Sequence, residues 1–444
     1  MNTWRPTAAI TRDKMKKTLT IVCALTACLC AKAQQKLYVC DDFNSTAVTL
    51  STAEDITFSS SQNKVYFGDK KFDIDDVDSI TFTEPMFNKV DITYSGTTAT
   101  VTIPSYVKGV TSSVSGANVT ISSANTTDEI LYHVSGSSDN GSLTINGEYK
   151  MTVALDGLTL TSTSTKAPID IECGKRIAIV ITEGTVNNIT DAATNGSKGA
   201  LYTEGHIEFE GAGTLNVTGN AKHAICAKEY IQFKKSTGTV NILKASSDGI
   251  HCGKGKVNNE NNYFQMNGGT ITVSGAGSDC IDCDDYGCAI INGGTLTLNV
   301  TQEDGAGLKA DSCIYMNGGT ITANVSGNIS DGIRAVYAAY FDGGTITENV
   351  TGNGSRGIRA KKTTKTTDTV LDGGYLYFNG TTADITVSGA TYTADNTVCY
   401  GMKADKEFKQ TDGVITITVN STDSSTKAYN FKTDSSTGGT LTVK

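Results

Sequence analysis

The sequence is poor in proline, histidine and tryptophan. Only four prolines occur in 444 residues. Proline withholds a ladder donor, so a chain this poor in it can run strands that are paired on both edges. Histidines number four, and no Ser-His-Asp arrangement, phosphate loop or zinc-protease motif is present. The single tryptophan is Trp4, in a segment expected to be removed, which excludes a flat Trp face for gripping crystalline polysaccharide. No long helical periodicity follows residue 34, and beyond the N-terminal segment no apolar run is long enough to cross a bilayer. Basic charge is also the minority sign. Lys and Arg total 37 against 46 Asp and Glu, a net charge of −9. Nothing supplies the broad basic surface that nucleic acid requires.

Glycine, by contrast, is abundant, at 46 residues, and it is periodic. Asn267-Gly268-Gly269-Thr270 recurs as Asn292-Gly293-Gly294-Thr295, Asn317-Gly318-Gly319-Thr320 and Asp342-Gly343-Gly344-Thr345, a 25-residue step. A second motif runs in phase: Asp248-Gly249-Ile250-His251-Cys252, Asp279-Cys280-Ile281-Asp282-Cys283, Ala306-Gly307-Leu308-Lys309-Ala310, Asp331-Gly332-Ile333-Arg334-Ala335, Arg356-Gly357-Ile358-Arg359-Ala360 and Tyr400-Gly401-Met402-Lys403-Ala404. Earlier relatives are Gly199-Ala200-Leu201-Tyr202-Thr203 and His223-Ala224-Ile225-Cys226-Ala227. After each Gly-Gly pair the chain alternates polar and apolar, as in Thr270-Ile271-Thr272-Val273, which is the period of a strand. Short strands and tight turns that repeat at a fixed step stack on themselves. The expected fold is all-β, a right-handed parallel β-helix of about ten coils by its repeat. The expected segments are a signal peptide over 1–33, a small β module over 34–85, a leading and capping stretch over 86–150, and the β-helix over 151–444.

Met15-Lys16-Lys17 followed by the apolar run Leu19 to Cys30 and Ala31-Lys32-Ala33 reads as a cleavable export signal. Leu25-Thr26-Ala27-Cys28 also resembles a lipobox, so lipidation at Cys28 is the alternative. Either way the chain is expected outside the cytoplasm, with no transmembrane segment. Residues 34–85 resemble a short β module found at the N-terminus of many exported proteins of Bacteroidetes-type bacteria. The acidic run Asp73 to Asp78 there reads as a solvated face. Cys280-x-x-Cys283 has no matching zinc half-site. Cys252 and Cys283 instead fall where other coils carry inward Ala, and Cys288 and Cys313 are in register one step apart. Each pair is expected to form a thiol ladder or an inter-coil disulfide.

The repeat sorts residues into columns. In Asp-Gly-Ile-x-Ala the Ile and Ala point inward and x outward. Up the stack x reads Tyr202, Cys226, His251, Asp282, Lys309, Arg334, Arg359, Lys403. The last four form a basic stripe suited to regularly spaced anions such as a polyuronate, with Arg adding bidentate carboxylate recognition. Outward cations that merely keep the rod soluble are the plain alternative. Beside the stripe, Asp248, Asp279, Asp282, Asp284 and Asp285 gather carboxylates at coil spacing, and crowded carboxylates call for a cation. Calcium, which takes six to eight oxygens, is the expected occupant. The alternative is Asp capping turns through its own backbone, which suits Asp248 and Asp331 ahead of Gly. Tyr315 and Tyr340, one step apart, are expected to stack outward as a sugar platform or to pack across coils.

The phased Asp-Gly-Ile-x-Ala and Asn-Gly-Gly-Thr-Ile-Thr pair, over roughly residues 150–430, resembles a carbohydrate-binding β-helix family of exported bacterial proteins. Its members look like pectate lyases in fold, carry calcium and associate with cellulose and acidic plant polysaccharides. The resemblance implies calcium at Asp248, Asp279 and Asp282 and a carbohydrate ligand. The coils with Ala306 and Arg356 depart from the motif, which puts later calcium positions in doubt. Three functions are therefore in play: a secreted, non-catalytic, calcium-assisted polysaccharide binder; a polysaccharide lyase acting by β-elimination with Lys309 or Arg334 as base; and a surface adhesin or stalk, against which the insertions Gly253–Asn262 and Lys361–Asp368 argue.

Overall fold

The computed structural model describes residues 87–253, 262–362 and 373–444, and, nearer the N-terminus, residues 35–41, 44–50, 56–59, 62–67, 70–74, 77 and 79–81. The expected signal segment 1–33 with Cys28, most of both insertions and part of the acidic run lie outside the described residues. The chain divides into two units, Met1–Lys89 and Val90–Lys444. In the first, Gln35–Asp41 pairs antiparallel with Asn44–Leu50 and with Ser79–Thr81. Ile56–Ser59, Lys64–Phe67 and Lys70–Asp73 form a second antiparallel sheet. Leu37, Val39, Val48, Val65 and Val77 make its small core.

The second unit is a parallel β-helix. Three strands make one coil: Ala306–Ala310, Cys313–Met316 and Thr320–Val325 are followed by Asp331–Ala335, Ala338–Phe341 and Thr345–Val350. The register is that of the sequence repeat, with Lys309 opposite Arg334, Tyr315 opposite Tyr340 and Thr320 opposite Thr345. The motif strands assemble into one thirteen-stranded sheet running from Val110–Ser115 to Lys427–Phe431, in which only the first pair is antiparallel. Parallel stacking begins where Asn118–Ser123 meets Ser142–Gly147, inside the stretch read as a leading cap. Those early coils lack both glycine motifs, so only the inward alternation of Val119, Ile121, Leu143 and Ile145 announces them. Two antiparallel hairpins, Lys89–Ser95 with Thr98–Thr102 and Val110–Ser115 with Asn118–Ser123, precede the stack.

Each coil contributes the same apolar positions to a continuous core. Ile225, Ile250, Ile281, Leu308, Ile333, Ile358 and Met402 are stacked and fully buried. Ala227, Cys252, Cys283, Ala310, Ala335 and Ala360 line up behind them, small because the strand ends at a corner. The Cys252 and Cys283 thiols lie 3.5 Å apart, a stacked contact rather than a bond. The second glycine of each Asn-Gly-Gly-Thr turn has φ of 82 to 86° at Gly269, Gly294, Gly319 and Gly344, a conformation that side chains resist. Asn267, Asn292 and Asn317 stack beside it, the Asn292 and Asn317 side-chain amides each donating to the preceding Asn Oδ1 at 2.8 Å.

One core position breaks the pattern. Glu348 follows Leu298 and Ala323 in an inward column and precedes Ile385, yet it is fully buried and neither carboxyl oxygen has a hydrogen-bond partner among the described residues. Its carboxyl projects into the space left by Gly332 and Gly357. Burial, with some repulsion from Asp331, drives its pKa well above the ordinary carboxylate value. The penalty is therefore absent below the ordinary Glu range and grows as the pH rises through it. Glu348→Leu, which restores the apolar column, should raise Tm at pH 7 by a few °C, on the order of 1–3 kcal/mol of relieved desolvation. The gain should shrink in melts run below about pH 4, where the buried acid is protonated in both states.

Candidate functional site

The sequence column is a column in space. Tyr202, Cys226, His251, Asp282, Lys309, Arg334, Arg359 and Lys403 pair in that order along the motif sheet. It is not the freely solvated stripe that strand alternation alone suggests. Lys309 is four-fifths buried, with Nζ 2.9 Å from Asp282 and 3.5 Å from Asp279. Arg334 donates through Nε to Asp331 and through Nη2 to Asp304, 3.2 Å away. Lys403 lies 3.6 Å from Asp405. The reason is the acids around the column: Asp279 and Asp282 belong to the coil before Lys309, Asp331 opens the coil of Arg334, and Asp304 and Asp405 stand in adjacent turns.

Asp331 is the centre of the upper half. It is fully buried and held by Arg334 and by Arg356 Nε at 2.5 Å. Arg359 stands farther off, at 3.9 Å. Burial alone would raise the Asp331 carboxyl, but the arginines bring it down to about 2. Arg356 is itself anchored, donating to Gly354 O at 2.8 Å and Ile329 O at 3.0 Å. Three arginines share one internal carboxylate, so positive charge is in surplus. Arg359 shows it: its Nε is buried with no partner among the described residues. Burial, then repulsion from Arg359 and Arg334, lowers the pKa of nearby Lys361.

The lower half opens into a cleft of about 340 Å³. Asp248 sits between two histidines, His223 Nδ1 at 3.1 Å and His251 Nδ1 at 3.1 Å, and His251 also reaches Asp282 at 3.3 Å. The two rings stack at 4.3 Å, one coil apart. Burial opposes charge on both. It lowers the pKa of His223, whereas hydrogen bonds to Asp248 and Asp282 overcome it at His251 and raise that ring to about 9. Burial pushes Asp279 up to about 6 despite Lys309. Asp311 rises to about 6, through burial and a hydrogen bond shared with Asp284. Lys198 and Lys222 complete the cleft and form no ion pair among the described residues. The motif register marked His223, but nothing in the repeat marked Lys198 or Lys222, which sit in turns.

Three groupings of donors fall within 4.8 Å: His223, Asp248 and His251; His251, Asp282 and Asp284; and Asp248, Asp279 and Asp282. The last is all oxygen, the donor type calcium takes, and Lys309 is the cation already against two of its members. Asp285 belongs to none of the three. It lies in a left-handed turn at φ 48°, where its carbonyl accepts from Asn262. Tyr315 and Tyr340 do stack, at 5.1 Å and 5°, but on a different sheet. Tyr377 covers the other face of Tyr340, so cross-coil packing occupies that ring on both sides.

The architecture defines a class, an extended β-solenoid with a charged, clefted face built from one strand column. Residues 115–399, well over half of the chain, match the model of the family described as carbohydrate-binding domain-containing proteins. The chain belongs to that family. A solved structure, the polysaccharide lyase-like protein from C. thermocellum in a gadolinium derivative, is 21% identical; the match covers 60% of this chain and 93% of that one, with a TM-score of 0.43. Comparison with curated proteins finds no match.

Because Arg356 is locked into the fold and Arg359 is not, the two arginines should separate in a melt. Arg356→Ala breaks a buried ion pair with Asp331 and leaves the Gly354 and Ile329 carbonyls without their donor, and should cost about 3–5 kcal/mol. Arg359→Ala should cost under about 1 kcal/mol. Denaturant titration of the two variants measures the difference.

Proposed function

We propose that this carbohydrate-binding protein is exported, does not catalyse, and grips an acidic polysaccharide laid along the axis of the β-helix. The observation that carries the proposal is the surplus of cations at the Asp331 coils, where three arginines share one buried carboxylate and the partly exposed Arg359 guanidinium stands 3.9 Å from it. A uronate carboxylate is the planar anion that such a group pairs with. Successive rungs repeat every ~4.8 Å, so one chain can meet Arg334, Arg359 and Lys403 in turn. Tyr315 and Tyr340 offer ring edges on a separate sheet and are at most an accessory surface. Export is supported by the basic-then-apolar N-terminal segment ending Ala31-Lys32-Ala33. No helix among the described residues is long and apolar enough to cross a membrane.

Protonation supports binding over catalysis. Burial opposes the charge on Lys309, but Asp282 and Asp279 raise its pKa above the ordinary lysine value. Arg334 is likewise raised, by Asp331 foremost among its partners, against the pull of burial. Both hold their protons at neutral pH and are poor bases for β-elimination. A lyase reading would need another base. On affinity gels containing polygalacturonate, Arg359→Ala with Lys403→Ala should lose retention at least tenfold while keeping the wild-type melt. Retention unchanged in that variant would sink the proposal, and release of unsaturated uronide product would move it to the lyase class.

Calcium assistance is part of the same proposal. Asp248, Asp279 and Asp282 would hold the ion, with Asp284 alongside, and the ion would bridge a uronate carboxylate to the protein. Lys309 competes for the same oxygens, because one cation at that spot excludes another. Lys309→Met should therefore tighten calcium binding, and Asp282→Asn should weaken it, by about tenfold each in isothermal titration, roughly the effect of one charge contact near 1.4 kcal/mol.

A further inference from the structure

The histidines at the cleft form a site of different chemistry from the all-oxygen group beside them. His223 and Asp248 open consecutive copies of the motif, and His251 stands three residues after Asp248, on the strand Ile250–Cys252. Coil stacking holds the two imidazoles face to face at 4.3 Å and 15°, which brings both Nδ1 atoms to one carboxylate. Nδ1 of His223 and Nδ1 of His251 each lie 3.1 Å from the same oxygen, Asp248 Oδ2. The His251 Nδ1 has Asp282 Oδ2 as a further neighbour at 3.3 Å. Only two of the four histidines of the chain take part, and the other two, His133 and His206, are paired with acids elsewhere.

A second observation concerns His223 alone. Its Nδ1 faces two groups with opposite demands. The backbone N–H of Asp248, 3.3 Å away, needs a lone pair there. The Asp248 carboxylate, 3.1 Å away, needs a positive centre there. One ring nitrogen cannot meet both. The repulsion is local to the nitrogen and oxygen that face each other, and a cation seated between them, taking the ring lone pair in place of the Asp248 N–H, relieves it.

We propose that His223, His251 and Asp248 bind a divalent transition metal of the zinc, cobalt and copper type. Two imidazoles and one carboxylate are the donors that borderline cations prefer, whereas calcium takes oxygen. Three protein donors leave a coordination position open to the cleft, where a hydroxyl or carboxylate oxygen of a ligand can enter. Asp248 is shared with the oxygen-only group, so calcium and the transition metal compete for it.

The test uses the full chain and the metals alone. Co(II) should give visible d–d bands of a nitrogen-and-oxygen site, without the near-ultraviolet thiolate charge-transfer band that cysteine ligation produces. Cu(II) electron paramagnetic resonance should show coupling to imidazole nitrogen. Isothermal titration should show Zn(II) binding at least a hundredfold tighter than Ca(II), and loss of at least tenfold in Zn(II) affinity in His251→Gln and in His223→Ala. His206→Gln, a histidine away from the cleft and paired with Glu229, should leave Zn(II) binding within twofold. The Cu(II) spectrum is read on unaltered protein, so a misfolded variant does not remove the test. Thiolate bands, no imidazole coupling, or Zn(II) affinity no better than Ca(II) would each overturn the proposal. None of these readouts involves a polysaccharide, so they stand or fall apart from the binding function.

Discussion

Every residue of this solenoid has the same neighbour twice, once above and once below, at the coil spacing. Hydrogen bonds between coils fix the register, and the register then fixes what may stand next to what. An apolar column costs nothing to continue, so Ile and Leu repeat almost unchanged through the interior. A charged column is different. Like charges stacked at ~4.8 Å repel, and burial strengthens the repulsion. The ionic arrangement of the motif sheet follows from that one constraint.

The solution adopted here is to offset the charges between two columns. Acids at the first motif position, Asp248, Asp279 and Asp331, face His251, Lys309 and Arg334 at the fourth. The pairs are partly buried and mutually dependent, so they act as internal counter-ions and contribute to rigidity more than to net stability. Where the alternation fails, charge is left over. The coil that begins with Arg356 has a cation at both positions, and the excess appears at Arg359. At the other end, two imidazoles meet one carboxylate. Both departures from alternation lie on the same face, separated by rungs whose charges balance.

Much of this was legible in the sequence. The two glycine-marked motifs give the fold, the 25-residue step and the membership of the column from Tyr202 to Lys403, because a solenoid converts sequence spacing directly into spatial neighbours. The early coils were not legible, since Asn118–Ser123 and Ser142–Gly147 carry no glycine signature. The repeat shows which way Lys309 and Arg334 point but not how deeply they sit, because depth depends on the adjacent turns, such as the one that brings Asp304 to Arg334. Asp285 looked equivalent to Asp284 by adjacency, but a left-handed turn separates their directions. Glu348 could have been found by the same register argument, as the one acid in a column of Leu298, Ala323 and Ile385.

The asparagine ladder of Asn267, Asn292 and Asn317 has a mechanical meaning. Its amide bonds, like the backbone bonds between coils, run along the solenoid axis. A pull on the rod from end to end therefore loads one rung at a time, and coils peel off in sequence instead of shearing together. Each coil contributes only ~4.8 Å of height while folded. Released as extended chain, its 25 residues reach roughly 80 Å. Such a rod is thus also a spring of very large stroke, whose stiffness is set by the weakest rung and whose length can grow severalfold before the last coil lets go.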